Sequence, residues 1–223
     1  MPERHPYVYD IARAVDRKGD YFPGHSDSVA FIMRMMAAQA SIEDEHVLNS
    51  LQIFAMIHDV GKLAIPDSIL MKPGRLDPDE WEIMKKHSEY GEFTAQSITG
   101  YEHVGPWVRH HHERFDGTGY PDGLKGPDIP WQSRMLLVAD AFQVMTSDRV
   151  YQRARDRGPA LQELVRHRGT QFCPVMVGYL VLRETTYSLS EALHRVDEGE
   201  SPHPGMKAID QAMEKLDVDT GMP

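Results

Sequence analysis

Cysteine is nearly missing, with Cys173 the one thiol in 223 residues. That excludes an internal disulfide framework and any Cys-rich zinc site, so a metal in this chain has to be held by histidine and carboxylate. Long apolar runs are missing too. No window approaches the roughly 18 uninterrupted apolar residues of a membrane span, and Met1–Asp10 has no apolar run like that of a secretory leader. The chain is therefore expected in the cytoplasm, without a membrane or a nucleic-acid polymer as partner. Positive charge is scarce: the net charge of -10 repels nucleic acid, and half of it comes from residues 188–223, where eight acids stand against three Lys or Arg. An anionic substrate then needs local help, and metal ions are the stronger candidate. Strand-like alternation and internal repeats are also lacking, and 41% hydrophobic content suits one helical core.

What is present is histidine in telling places. The stretch His110–Pro121, HHHERFDGTGYP, sets three consecutive imidazoles against a glycine-rich loop, and neutral imidazole is the commonest metal ligand near neutral pH. Elsewhere histidines extend apolar stripes of helical period. Ser26 is expected to cap a helix carrying Val29, Met33, Met36 and Ala40, and a second stripe of Val47, Leu51, Phe54 and Ala55 leads into His58. Asp77 and Pro78 mark a helix start. Trp81, Met84, Gly91, Ala95 and Ile98 then share one face, with His87 three residues beyond Met84. Val104 and Val108 lead to His111 and His112 in the same way. Four glycines and two prolines in residues 116–127 predict a tight, shaped loop. Further helices are expected over Ser133–Thr146, carrying Asp140, from Pro159, and from Pro174 through Arg183. Val196–Pro204 reads as a flexible connection and Met206–Leu216 as a short amphipathic helix.

His58 and Asp59 are adjacent, about 100° apart on a helix, so one metal can be reached by both, and an Asp can bridge two metals. Lys62 lies one turn on from His58, a cation for a phosphate oxygen or a leaving group. A lone His-Asp pair is as well explained as a hydrogen-bonded core pair. Here His25, His87, His111, His112 and Asp140 belong to different predicted helices or their edges, and convergence would make one cluster. Five neutral imidazoles and two carboxylates carry -2 and two divalent cations +4, a positive centre for a phosphate diester. A water bound there drops from a pKa of 15.7 to about 7. A donor set without thiolates suits iron, manganese or zinc, with iron or manganese preferred.

HDVGKLAIPDSIL, KPG at Lys72–Gly74, His87, HHERFDGTGYPDGLKG, VADAF and TSDR occur in this order. Together they resemble the HD-GYP domains of bacteria, over about residues 20–183. The resemblance implies an all-α, HD-superfamily helical bundle with a metal centre in its core and a Gly/Pro-rich GYP loop. Residues 1–20 are then an N-terminal helix or lead-in, 21–187 the domain, and 188–223 an acidic tail. The implied activity is hydrolysis of cyclic di-GMP to pGpG or GMP at two divalent metal ions. By motif position the ligands are His25, His58, Asp59, His87, His111, His112 and Asp140, with His110 outside them. Asp59 and Lys62 are the implied catalytic residues. Lys62 and Arg149 resemble the family's phosphate contacts, with Arg153 in support. Asp116–Pro121, including Gly119 and Tyr120, lies at the substrate entrance, where Tyr120 is expected chiefly to brace the loop.

The chain departs from the family pattern in places. Tyr21 stands where some members have a Glu for a third metal, which favours a two-metal centre. Gln143 replaces an Asp one turn after Asp140, Val150 a Pro, Gln152 a basic residue, and Cys173 an Asp in a structural position. The Gln143 and Gln152 changes keep two alternatives open: an HD-type phosphohydrolase for another cyclic nucleotide, and a weakly active adaptor that binds cyclic di-GMP. Most relatives carry a sensory or receiver module, so a separate signalling partner and a homodimer through the first residues are also expected.

Overall fold

The structure, a computed structural model, describes residues 6–18, 24–147 and 154–193. Ten α-helices are found among them: α1 (Pro6–Lys18), α2 (His25–Gln39), α3 (Glu45–Ile57), α4 (Asp67–Leu70), α5 (Pro78–Lys85), α6 (His87–Gln96), α7 (Gly105–Arg109), α8 (Trp131–Thr146), α9 (Arg157–Arg166) and α10 (Pro174–Leu193). No strand occurs among the described residues; Arg168 and Phe172 form an isolated bridge. The fold is all-α, as the helical periods required. None of these helices is long and apolar enough to cross a membrane. Arg149, Gln152, Arg153, Tyr21 and Val150 lie outside the described residues, as do Val196–Pro204 and Met206–Leu216.

The apolar stripes form one core. Val29, Met33 and Met36 of α2 pack with Leu51, Phe54 and Ala55 of α3, joined by Met135, Leu136 and Val138 of α8 and by Val177, Leu180 and Val181 of α10. Val8, Ala12 and Val15 place α1 on the same core. Polar contacts add to this: Ser26 Oγ donates to Asp16 Oδ1 at 2.8 Å in the interior, and Lys18 Nζ, nearer the surface, donates to the carbonyls of Leu63 and Ile65 at 2.9 and 3.0 Å. α1 is thus tied to both α2 and the segment that follows α3.

Local chemistry sets the helix ends, not always where expected. Asp44 caps α3, its side chain accepting from the amides of His46 and Val47, which satisfies donors the first turn leaves over. Asp77 and Glu80 form a reciprocal capping box ahead of Pro78, which bears out the predicted start of α5. Ser26 is not a cap: that position falls two residues earlier, at Gly24 with φ 88°, and the Ser26 hydroxyl is taken by Asp16. The single face expected from Trp81 to Ile98 is divided between α5 and α6. α5 has no buried residue, and Trp81 remains 44% exposed, whereas Gly91, Ala95 and Ile98 are core.

The start of α6 is closely packed by another segment. A 3-10 turn, Val60–Ala64, follows α3 and crosses α6 closely. A Cβ on Gly61 would sit 1.9 Å from the carbonyl oxygen of His87 and 2.6 Å from the amide of Gly91, so only a glycine lets the turn lie on the start of α6. His58 and Asp59 consequently do not lie within a helix, as expected from their spacing. His58 closes α3, and Asp59, at φ -99° and ψ 9°, is the hinge into the 3-10 turn.

Candidate metal centre

Four elements end at one place. His58 and Asp59 come from the end of α3, His87 opens α6, His111 and His112 follow α7, and His25 opens α2; Asp140 lies along α8. Two donor groups result, Asp59 with His87, His111 and His112, and His25 with His58 and Asp140; within each the ligand atoms lie within 4.8 Å of one another. His25, His58, Asp59, His87 and His111 are buried, while His112 and Asp140 are partly exposed.

Asp59 stands between the groups. Its Oδ1 lies 3.5 Å from His87 Nε2 and 3.7 Å from His111 Nε2, and its Oδ2 lies 3.4 Å from His58 Nε2. Lys62 Nζ donates to Oδ2 at 2.6 Å. Burial opposes charge on Asp59, but Lys62, followed by His58, overcomes it and holds the carboxyl well below its ordinary range. The same carboxylate acts back on His58. Burial disfavours a proton there, yet the Asp59 charge outweighs it and raises the His58 pKa.

The imidazoles are oriented from behind. His58, His87 and His111 donate Nδ1–H to the carbonyls of Ala55, Met84 and Val108, three residues earlier, at 2.8, 2.7 and 2.6 Å. Such a bond fixes the tautomer and turns Nε2 forward, the usual support of a metal-binding histidine. His25 has a different anchor: its Nδ1–H donates to Gln143 Oε1 at 2.8 Å, and its Nε2 lies 3.5 Å from Asp140 Oδ1. Burial, reinforced by neighbouring imidazoles, pushes the His87 pKa down to about 3 and that of His112 well below its ordinary value. Burial also lowers His111 and His25, against the pull of Asp59 and Asp140 respectively.

These rings fit a cation. With both Nδ1 protons engaged by carbonyls, neutral His87 and His111 present Nε2 lone pairs to each other across 3.3 Å. Facing lone pairs repel, and a metal ion between them turns the contact into ligation. Nitrogen and oxygen donors without sulfur suit first-row divalent ions.

The glycine-rich loop is built against this centre. Tyr120 stacks on His112, with ring centroids 4.8 Å apart, and Trp81 meets Tyr120 edge-on at 5.8 Å. Gly119 lies so close to the preceding segment that a Cβ would come within 2.3 Å of the Arg114 amide. His110 turns elsewhere, its Nδ1 2.7 Å from the Pro106 carbonyl and its Nε2 2.8 Å from Asp122 Oδ2. Arg109 grips the same carboxylate through Nε and an NH2 at 2.7 and 2.8 Å. Cys173 is buried, and an Arg134 guanidinium N–H reaches its sulfur at 3.6 Å.

Sequence reasoning passed over one residue. Glu113 is buried and its Oε1 accepts the backbone amides of Asp122 and Gly123 at 2.8 and 3.0 Å, fastening the loop from within. Its place beside the histidine pair was the available signal, but an acid gives no sign of burial. Gln143 was read as a missing carboxylate, whereas the structure shows its carbonyl bonded to His25.

Residues 11–174 match the sequence model of a family described as HD domain. The cyclic di-GMP phosphodiesterase response regulator RpfG of Xanthomonas campestris is 38% identical over 173 residues, 77% of this chain and 46% of that protein. The 3'3'-cGAMP-specific phosphodiesterase 2 of Vibrio cholerae is 37% identical over 78% of this chain and 34% of its own length. A cyclic di-GMP phosphodiesterase of Thermotoga maritima is 33% identical over 81% of this chain and 49% of its own. The chain thus spans half or less of these relatives. Among solved structures, a cyclic GMP-AMP specific phosphodiesterase of Vibrio cholerae has the same fold, with a TM-score of 0.65 at 19% identity, over 93% of this chain and 52% of that one.

Proposed function

The chain belongs to the HD domain family, in its HD-GYP branch, and from that membership we propose a metal-dependent phosphodiesterase that hydrolyses cyclic di-GMP to pGpG or GMP. One observation carries the reading: the Asp59 carboxylate faces His87 and His111 with one oxygen and His58 and Lys62 with the other. That is the arrangement a carboxylate needs to serve two ions. The ligands in this proposal are His25, His58, Asp59, His87, His111, His112 and Asp140, and the ions two Fe(II) or Mn(II), with Zn(II) as a third candidate.

When bound, the ions supply Lewis acidity toward the phosphate and acidify the attacking water. The chain's own groups supply the rest. Burial of four of the imidazoles excludes bulk water, which strengthens charge interactions at the site. Lys62 keeps Asp59 ionised and presents its ammonium to the phosphate, assisted in this reading by Arg149 and Arg153. Gly119 and Tyr120 border the substrate, where Tyr120 braces the loop against His112 and the partly exposed Trp81 ring offers a face on which a base can stack. A cytoplasmic site of action and a separate signalling partner belong to the same proposal. α1 buries Val8, Ala12 and Val15 in the domain's own core and leaves Tyr7 exposed, so a homodimer through the first residues, part of the same proposal, would use the outward face of α1.

The test is direct. Purified chain incubated anaerobically with cyclic di-GMP and Fe(II) or Mn(II) is expected to release linear pGpG or GMP, resolved by chromatography, and Asp59→Ala is expected to release none. Absence of linear product from a chain shown to carry metal would overturn the reading. The cGAMP-specific relative at 37% identity favours one alternative substrate, 3'3'-cGAMP, because metals recognise phosphate and not base. Ranking both dinucleotides by kcat/KM separates the two.

A further inference from the structure

Gln143 occupies a position unlike any other behind the imidazoles. It lies on α8 one turn after Asp140 and is 5% exposed. Its Oε1 accepts His25 Nδ1–H at 2.8 Å, and its Nε2 donates to Ser147 Oγ at 2.9 Å. The carbonyl end is thus presented to the ring and the amide nitrogen to Ser147. His58, His87 and His111 are anchored on carbonyls three residues earlier in their own segments, so their orientation follows from local backbone. His25 is the first residue of α2, and the anchor described for its ring is Gln143. This anchor is a side chain 118 positions away.

The two donor groups are unequal in other ways. One has three imidazoles together with Asp59, which is 5% exposed on its side chain. The other has two imidazoles and Asp140, whose side chain is 24% exposed. A ligand set with fewer imidazoles, a more hydrated carboxylate and one ring held by a neutral amide binds the weaker ion. Partners behind a metal ligand change affinity by about 10–100-fold when altered, and a carboxylate there makes the imidazole a stronger donor than an amide does.

We infer that Gln143 is a positioning residue that sets the occupancy of the His25–His58–Asp140 position and makes it the weaker of two metal positions. The Asp59–His87–His111–His112 position, linked to it through the shared Asp59, is affected far less. This rests on the two-metal reading of the centre. The chain then takes up its second ion only at higher free metal, so the form with both ions varies with metal supply.

Anaerobic titration of the metal-free chain with Mn(II), followed by calorimetry and by electron paramagnetic resonance of the coupled pair, reads each position without substrate. Wild type is expected to show two unequal dissociation constants. Gln143→Leu, which keeps bulk and loses the acceptor, is expected to weaken the second by about 10–100-fold and leave the first within twofold, roughly the precision of such a titration. Gln143→Glu is expected to tighten the second and strengthen the signal of the coupled pair at limiting metal. Helical circular dichroism of each metal-free variant serves as the control for folding, and the Glu variant keeps the test open if Leu is poorly folded. Unchanged second constants in folded variants overturn the inference alone, as does equal weakening of both. A wild-type chain that binds no Mn(II) overturns the metal centre and this inference with it.

Discussion

Lys62 shows how one side chain can have two separable effects. Its ammonium bonds Asp59 Oδ2 at 2.6 Å, and both side chains are largely shielded, 12% and 5% exposed. Removing one partner of such a pair leaves the other charge buried, at a cost of roughly 3–5 kcal/mol. Lys62→Met is therefore expected to lower the stability of the metal-free chain by about 3 kcal/mol, measured by urea unfolding. In turnover it is expected to lower kcat by about 100-fold, the scale for losing one charge-stabilising donor. A loss of stability with unchanged kcat would confine Lys62 to supporting Asp59. The spacing of Lys62, one turn on from His58, made its place at the centre legible in the sequence, though as a phosphate contact and not as the partner of Asp59. The bond from His25 to Gln143 was not legible, because it joins residues 118 positions apart and the amide replaced a familiar acid at that place.

At the scale of elements, the apolar stripes of α2 and α3 were readable because one period runs through each helix. The break between α5 and α6 was not. Lys86 carries no local stop signal, and the start of α6 lies against the 3-10 turn Val60–Ala64 from another part of the chain. That turn also brings Asp59 to His87, with Gly61 as the point of closest approach. In Gly61→Ala the new methyl would meet the His87 carbonyl oxygen at 1.9 Å, far inside contact distance, so the turn and α6 must separate. Overpacking of this kind typically costs about 1–3 kcal/mol, occasionally more. The expected result is a lower unfolding midpoint together with loss of the tighter Mn(II) position. Retention of that position with wild-type affinity would show that the Asp59–His87 geometry tolerates the displacement. The loop after His112 follows the same logic: its glycines announced a turn, while Glu113, which fastens Asp122 and Gly123 from the inside, is visible only in three dimensions.

For the molecule as a whole, the centre should couple metal binding to folding. Its donor groups come from α2, the end of α3, α6, the segment after α7, and α8, so an unfolded chain cannot gather them. An ion that binds only the folded form stabilises it by about 2.7 kcal/mol when free metal is 100 times the dissociation constant. In a domain of this size each kcal/mol raises the unfolding midpoint by roughly 2–4 °C. Stripping with a chelator is thus expected to lower Tm by about 5–10 °C, restored on adding Mn(II). Asp59→Ala lacks the carboxylate that faces both donor groups, and its Tm should respond to neither treatment. Scanning calorimetry of both proteins, stripped and reloaded, makes the comparison. An equal metal-dependent shift in Asp59→Ala would place the stabilising ion elsewhere, because no other described side chain stands between the two groups as Asp59 does.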